Sequence, residues 1–155
     1  VNGNEALLDI EMTQREKSKD SHWSDTGIKI FKNCYEIKKT YGGFKAPENE
    51  EISGKIDEKR FEEIRAYLQE NGFHGSINEK KKSEGTGLKG SLRIQGTFPE
   101  KVDIRIEGML RIWGSDDFVK REWGSEYVES RTNLKNREWF SRVDGLVYFL
   151  SGKGM

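Results

Sequence analysis

The residues best suited to chemistry are few. Asp25, Glu36 and Lys38 place two carboxylates and an amine within a short span. Two carboxylates on adjacent strands can hold Mg²⁺, and a neighbouring lysine can orient or help deprotonate an attacking water. Glu36 and Lys38 are two residues apart, so on a strand they share a side. The same spacing also describes the solvated face of an amphipathic strand, and that is the reading we favour. His22, His74 and Cys34 are the other candidate ligands, but their spacing matches no zinc motif. No G-x-S-x-G elbow, Walker A loop or G-x-G-x-x-G turn occurs. The primary reading therefore assigns no catalytic residue, no metal and no cofactor.

Binding chemistry is better represented. Trp113 and Trp123 stand beside Gly-Ser pairs, with Asp116, Asp117, Arg121 and Glu122 nearby. Aromatic rings at turn edges stack on sugars or anchor protein interfaces. Trp113, Trp123, Arg111 and Asp116 are the candidate binding residues; the competing reading packs the two rings against a sheet. Arg93, Arg105 and Arg111 are expected to line one sheet face and to pair with Asp103 and Glu107. Such a surface ladder contributes little per pair.

The elements that must carry these residues follow from periodicity. Leu8, Ile10 and Met12 alternate on one side of a strand, and residues 27–41 read as two strands turning at Lys32-Asn33. Ile28, Ile30, Tyr35 and Ile37 are their inward residues. One amphipathic helix is expected over 57–71. Phe61, Ile64, Tyr67 and Leu68 share its face, Asp57 caps it, and Asn71-Gly72-Phe73 stops it. Residues 17–26 and 76–87 read as flexible polar loops. From Leu88 onward three Arg-Ile-x-Gly units and two Trp-Gly-Ser units suggest a meander of strands at 88–96, 100–107, 109–113, 116–123 and 126–132. Its Gly-Ser pairs would form hairpin turns. The apolar stretch 136–150 reads as a C-terminal helix to about residue 144, with a strand or more helix after Gly145.

Two resemblances attach to these patterns. Asp25 followed by Glu36-Ile37-Lys38 resembles the D…(D/E)-x-K signature of restriction-endonuclease-like nucleases, which implies metal-dependent cleavage by those three residues. The stretch before Asp25 reads as a strand, where that family carries a helix with a further acid. Residues 27–107, with Gly42-Gly43 between strands and a helix ending in Asn-Gly-Phe, resemble in layout the emfourin-type inhibitors of bacterial metalloproteases. That implies protease inhibition, with no inhibitory residue carried across.

Composition sets the outer bounds. The chain has 155 residues, and its 27 Lys+Arg balance 27 Asp+Glu. Net charge 0 argues against nucleic acid as a partner. No apolar run approaches the roughly 18 residues of a spanning helix. Charged residues make up 35% and hydrophobic residues 33%, a disorder-like balance, but 11% aromatic content supplies anchors for a core. A lone Cys34 excludes a disulfide framework. The chain begins at Val1, which we read as a processed or truncated terminus. We expect a single β-rich α+β domain over 1–155, built as an antiparallel meander. By elimination it is a non-enzymatic binding domain for a protein or carbohydrate. It is expected to be exported (periplasmic, extracellular or lipid-anchored), as a secreted bacterial protein or the soluble part of a lipoprotein. The alternatives are a metal-dependent nuclease and a protease-inhibitor-like protein.

Overall fold

In a computed structural model, which describes residues 5–17, 22–80, 86–131 and 137–152, the chain forms one seven-stranded sheet with helices. The strands are β1 (Leu8–Lys17), β2 (Trp23–Ile30), β3 (Cys34–Gly42), β4 (Glu50–Lys55), β5 (Gly75–Lys80), β6 (Gly87–Gly96) and β7 (Val102–Ile112). Their spatial order is β4-β3-β2-β1-β6-β7-β5. All neighbours are antiparallel except β5, which joins the far edge parallel to β7. The helices are α1 (Glu58–Glu70), α2 (Asp116–Glu122), α3 (Tyr127–Ser130) and α4 (Arg137–Ser151). None is long and apolar enough to cross a membrane.

The strand alternation sends Leu8, Ile10, Ile28, Ile30, Ile37, Leu92, Ile94 and Ile104 to one side, where all are buried. α1 and α4 cover that side. α1 contributes Ile64 and Leu68; α4 contributes Phe140, Val143, Leu146, Val147 and Leu150. Asp57 caps α1 by accepting a hydrogen bond from the Arg60 backbone N–H at 2.7 Å. Where the two helices meet, Tyr67 stacks on Phe149 with ring centroids 4.2 Å apart. A Cβ at Gly145 would lie 3.0 Å from the Tyr67 hydroxyl. Gly145 therefore admits α1 close to α4, and the helix runs through it. The strand considered after Gly145 does not form.

Several expectations of strand order are overturned beyond Leu88. Segments 100–107 and 109–113 are one strand, β7, with Gly108 inside it at φ 157°. Segments 116–123 and 126–132 contain helices rather than strands. Ser115 is the reason for the first: its hydroxyl accepts from the Phe118 N–H at 3.2 Å, caps α2, and precedes Asp116 and Asp117 at the positive end of the helix dipole. Trp123-Gly124 ends α2 rather than turning a hairpin. Gly124 takes φ 117° and its N–H reaches the carbonyls of Val119 and Lys120. The expected loops also shrink, since residues 23–26 belong to β2 and 76–80 to β5. Residues 18–21 and 81–85 of those loops lie outside the described residues.

A register shift between Leu88 and Lys89 has a further effect. Met109 and Leu110 still alternate, Leu110 joining the main core, but beyond the shift Ile112 turns to the side of Met109, opposite α1 and α4. Met109, Ile112 and Val119 form a second small core, with Phe118, Trp123, Tyr127 and Val128 packed on it. α2 and α3 thus roof one corner of the opposite face.

Candidate functional site

Elsewhere that opposite face is left open by the described helices, and its rows are polar from edge to edge. One row runs Ser53, Glu36, Lys29, Asp9, Gln95 and Asp103. The next runs Glu51, Lys38, Gly27, Glu11, Arg93, Arg105 and Asn78. A third runs Thr40, Asp25, Thr13, Ser91, Glu107 and Lys80. Arg93 ties two rows together: its guanidinium lies 3.0 Å from Glu11 and 4.0 Å from Asp9, and donates to the Gln95 side-chain oxygen at 2.8 Å. Lys89 reaches Glu107 at 3.8 Å, and Arg105 Nε reaches Asp103 at 3.4 Å.

Gly27 interrupts this carpet of side chains. It lies in regular register between Glu11 and Lys38, has no positive φ, and a Cβ placed on it would meet nothing within 4 Å. Three other strand glycines have steric reasons, Gly42 lying under Trp23, Gly54 under Tyr35 and Gly90 under Phe140, and Gly75 takes φ 91°. Gly27 instead floors a depression of about 240 Å³ walled by Asp9, Glu11, Lys29, Glu36 and Lys38. A glycine inside a strand costs stability and often marks a place where a ligand or another backbone approaches. Sequence periodicity did not single out Gly27, nor Asp9, Glu11 and Lys29 around it. The signal was there: a glycine in an alternating segment without a turn to explain it.

The three residues of the nuclease-like pattern share this face without converging. Asp25 pairs with Thr40 and Glu36 with Lys29. Glu36 is therefore four residues along β3 from the position opposite Asp25, about 13 Å at 3.3 Å per residue. The row holding Lys38 runs between them. Among the described residues no three His, Cys, Asp or Glu side chains gather to hold a metal ion. His22 and Cys34 flank opposite ends of the β2–β3 hairpin. His74 is exposed on another part of the chain, its Nδ1 lying 3.7 Å from Glu100.

The four candidate binding residues all lie at the β7–α2 end. Trp123 is half-buried against the second core, its ring 5.6 Å from that of Tyr127. Trp113 is half-buried, with its backbone N–H bonded to the Thr86 carbonyl. Asp116 pairs with Arg131 at 2.8 Å, and Arg111 is exposed. Arg111 pairs with Leu88, which packs on the helix side, so beyond the register shift it leaves the face that Arg93 and Arg105 share.

On the helix side, Asp144 of α4 is a partly buried carboxyl. Burial raises its pKa, and Lys39 opposes that rise. Burial, then Glu50 and Asp144, raise the pKa of Tyr41. No protein-family model matches this chain, and no curated protein matches it in sequence.

Proposed function

We propose that this chain is a non-enzymatic binding domain that receives a protein partner on the open face of its sheet, centred on the Gly27 depression. The observation that carries this reading is Gly27 itself, a residue that costs strand stability where nothing in the fold requires its absence of a side chain. A flat surface of interleaved acids and bases suits another protein, because complementary charge fixes register and rejects wrong partners. A sugar would ask for exposed aromatic rings, and Trp123 is turned into the second core.

The test is Gly27→Val. Filling the depression is expected to leave the fold intact and to raise stability by about 0.5–1 kcal/mol. Affinity capture from an extract of the source cells should then lose a protein that the native chain retains. Tyr148→Ala, on the exposed side of α4, should still capture it. Capture unchanged by Gly27→Val sinks the reading. Mg²⁺- or Mn²⁺-dependent DNA cleavage that disappears in Glu36→Gln would replace it with the nuclease alternative.

A further inference from the structure

The open face carries a second depression, of about 270 Å³, over β6, β7 and β5. Ser91 and Asn78 are short and leave its floor low, while Arg105 and Lys80 stand at its rim. Arg93 and Arg105 are direct cross-strand neighbours. Like charges placed so oppose each other unless something anionic relieves them. Arg93 has that relief from Glu11, Asp9 and the Gln95 oxygen. Arg105 is different: among the described residues its one ion pair runs through Nε to Asp103, so both terminal nitrogens of an exposed guanidinium remain as donors. Two acids also line the depression: Glu107 lies 3.8 Å from Lys89, and Glu79 pairs with Ile106, whose side chain is on the core side of the sheet.

Resting on the binding reading above, we propose that this depression receives a carboxylate from an acidic segment of the protein partner. Arg105 offers a planar fork of N–H donors that matches a carboxylate, and Lys80, Asn78 and Ser91 supply further donors around it. A nucleic-acid backbone fits less well. Its phosphates are fixed in the backbone and would run over Asp103, Glu107 and Glu11, whereas an acidic peptide can set one flexible side-chain carboxylate among the donors and turn the others to solvent.

The probe is N-acetylated hexaglutamate amide, titrated into the ¹⁵N-labelled full chain at low salt and followed by amide shifts. Saturating shifts are expected first at Ser91, Arg105 and Asn78. Arg105→Gln should weaken binding about tenfold, whereas Lys59→Gln on α1 should leave it unchanged. Shifts centred on Lys29 and Lys38, or equal losses in both variants, would overturn the assignment. So would complete displacement by equimolar inorganic phosphate, which would mark a small-anion site, or tighter binding of oligothymidylate at the same residues. If hexaglutamate is ignored while Gly27→Val still abolishes capture, this subsite falls and the binding reading stands. If hexaglutamate binds at Arg105 but Gly27→Val captures normally, the Gly27-centred reading falls instead.

Discussion

Asp144 shows how one partly buried charge sets a pH dependence. Its folded pKa is raised, chiefly by burial, so the folded state holds this proton more tightly than the unfolded chain does. The stability it contributes is full below the ordinary carboxyl pKa of about 4 and is lost as pH rises through the folded value. At neutral pH the ionised group is therefore a cost that Lys39 only partly offsets. Asp144→Asn is expected to raise Tm at pH 7 by about 1–2 °C, kept small by solvent screening of a side chain still partly wet. The gain should fade below about pH 4. Thermal melts from pH 3 to pH 8 would show it, and a gain independent of pH would contradict the assignment. Asp57 is a simpler case, and its role was legible in the sequence. A short acidic side chain before an apolar-periodic run can satisfy an otherwise unbonded helix N–H, and it does so here. Asp57→Ala should cost about 1 kcal/mol in chemical denaturation. Asp144 was not legible, because its environment comes from β3, remote in sequence.

Elements divide by the same physical test. Those stabilised by their own periodicity could be read: β1 to β3 through alternating Ile and Leu, α1 through Phe61, Ile64, Tyr67 and Leu68. Those decided by a single residue's partner could not. Gly145 argues against a helix until Tyr67 is placed against it, and Ser115 reads as a hairpin residue until its hydroxyl is seen on the Phe118 N–H. The Trp-Gly-Ser repeat misled because one Gly precedes a cap and the other follows a helix end, two unrelated uses of positive φ. The candidate site divides likewise. Glu36 and Lys38 were visible as neighbours on one strand, whereas their grouping with Asp9 and Glu11 needed the β1–β2–β3 register. Ser115→Ala provides a check at this scale. It should cost about 1 kcal/mol and fray α2, with faster amide exchange at Phe118 and Val119 and little change in α1.

At the scale of the molecule, the sheet serves two cores of unequal size. The main core draws buried side chains from five strands, α1 and α4, with Ile52 of β4 and Ile77 of β5 packed against it, whereas the second gathers three buried side chains under two short helices. Burial on that scale leaves α2 and α3 dependent on the sheet, while the sheet has little dependence on them. Ile64→Ala opens a cavity in the main core and should cost about 2–5 kcal/mol of global stability. Val119→Ala removes an equally buried side chain, yet it should act locally. Hydrogen exchange would separate the two. In Val119→Ala the amides of α2 and α3 should exchange faster while those of β1 and β6 keep their protection; in Ile64→Ala protection should fall throughout. The Gly27 and Arg105 depressions are lined by β1, β2, β3, β5, β6 and β7 rather than by the corner roof. They should therefore keep their shape when the roof opens. Hexaglutamate shifts at Ser91 and Arg105 that survive Val119→Ala would show that the proposed contact belongs to the sheet; their loss would make the α2–α3 corner part of the binding surface.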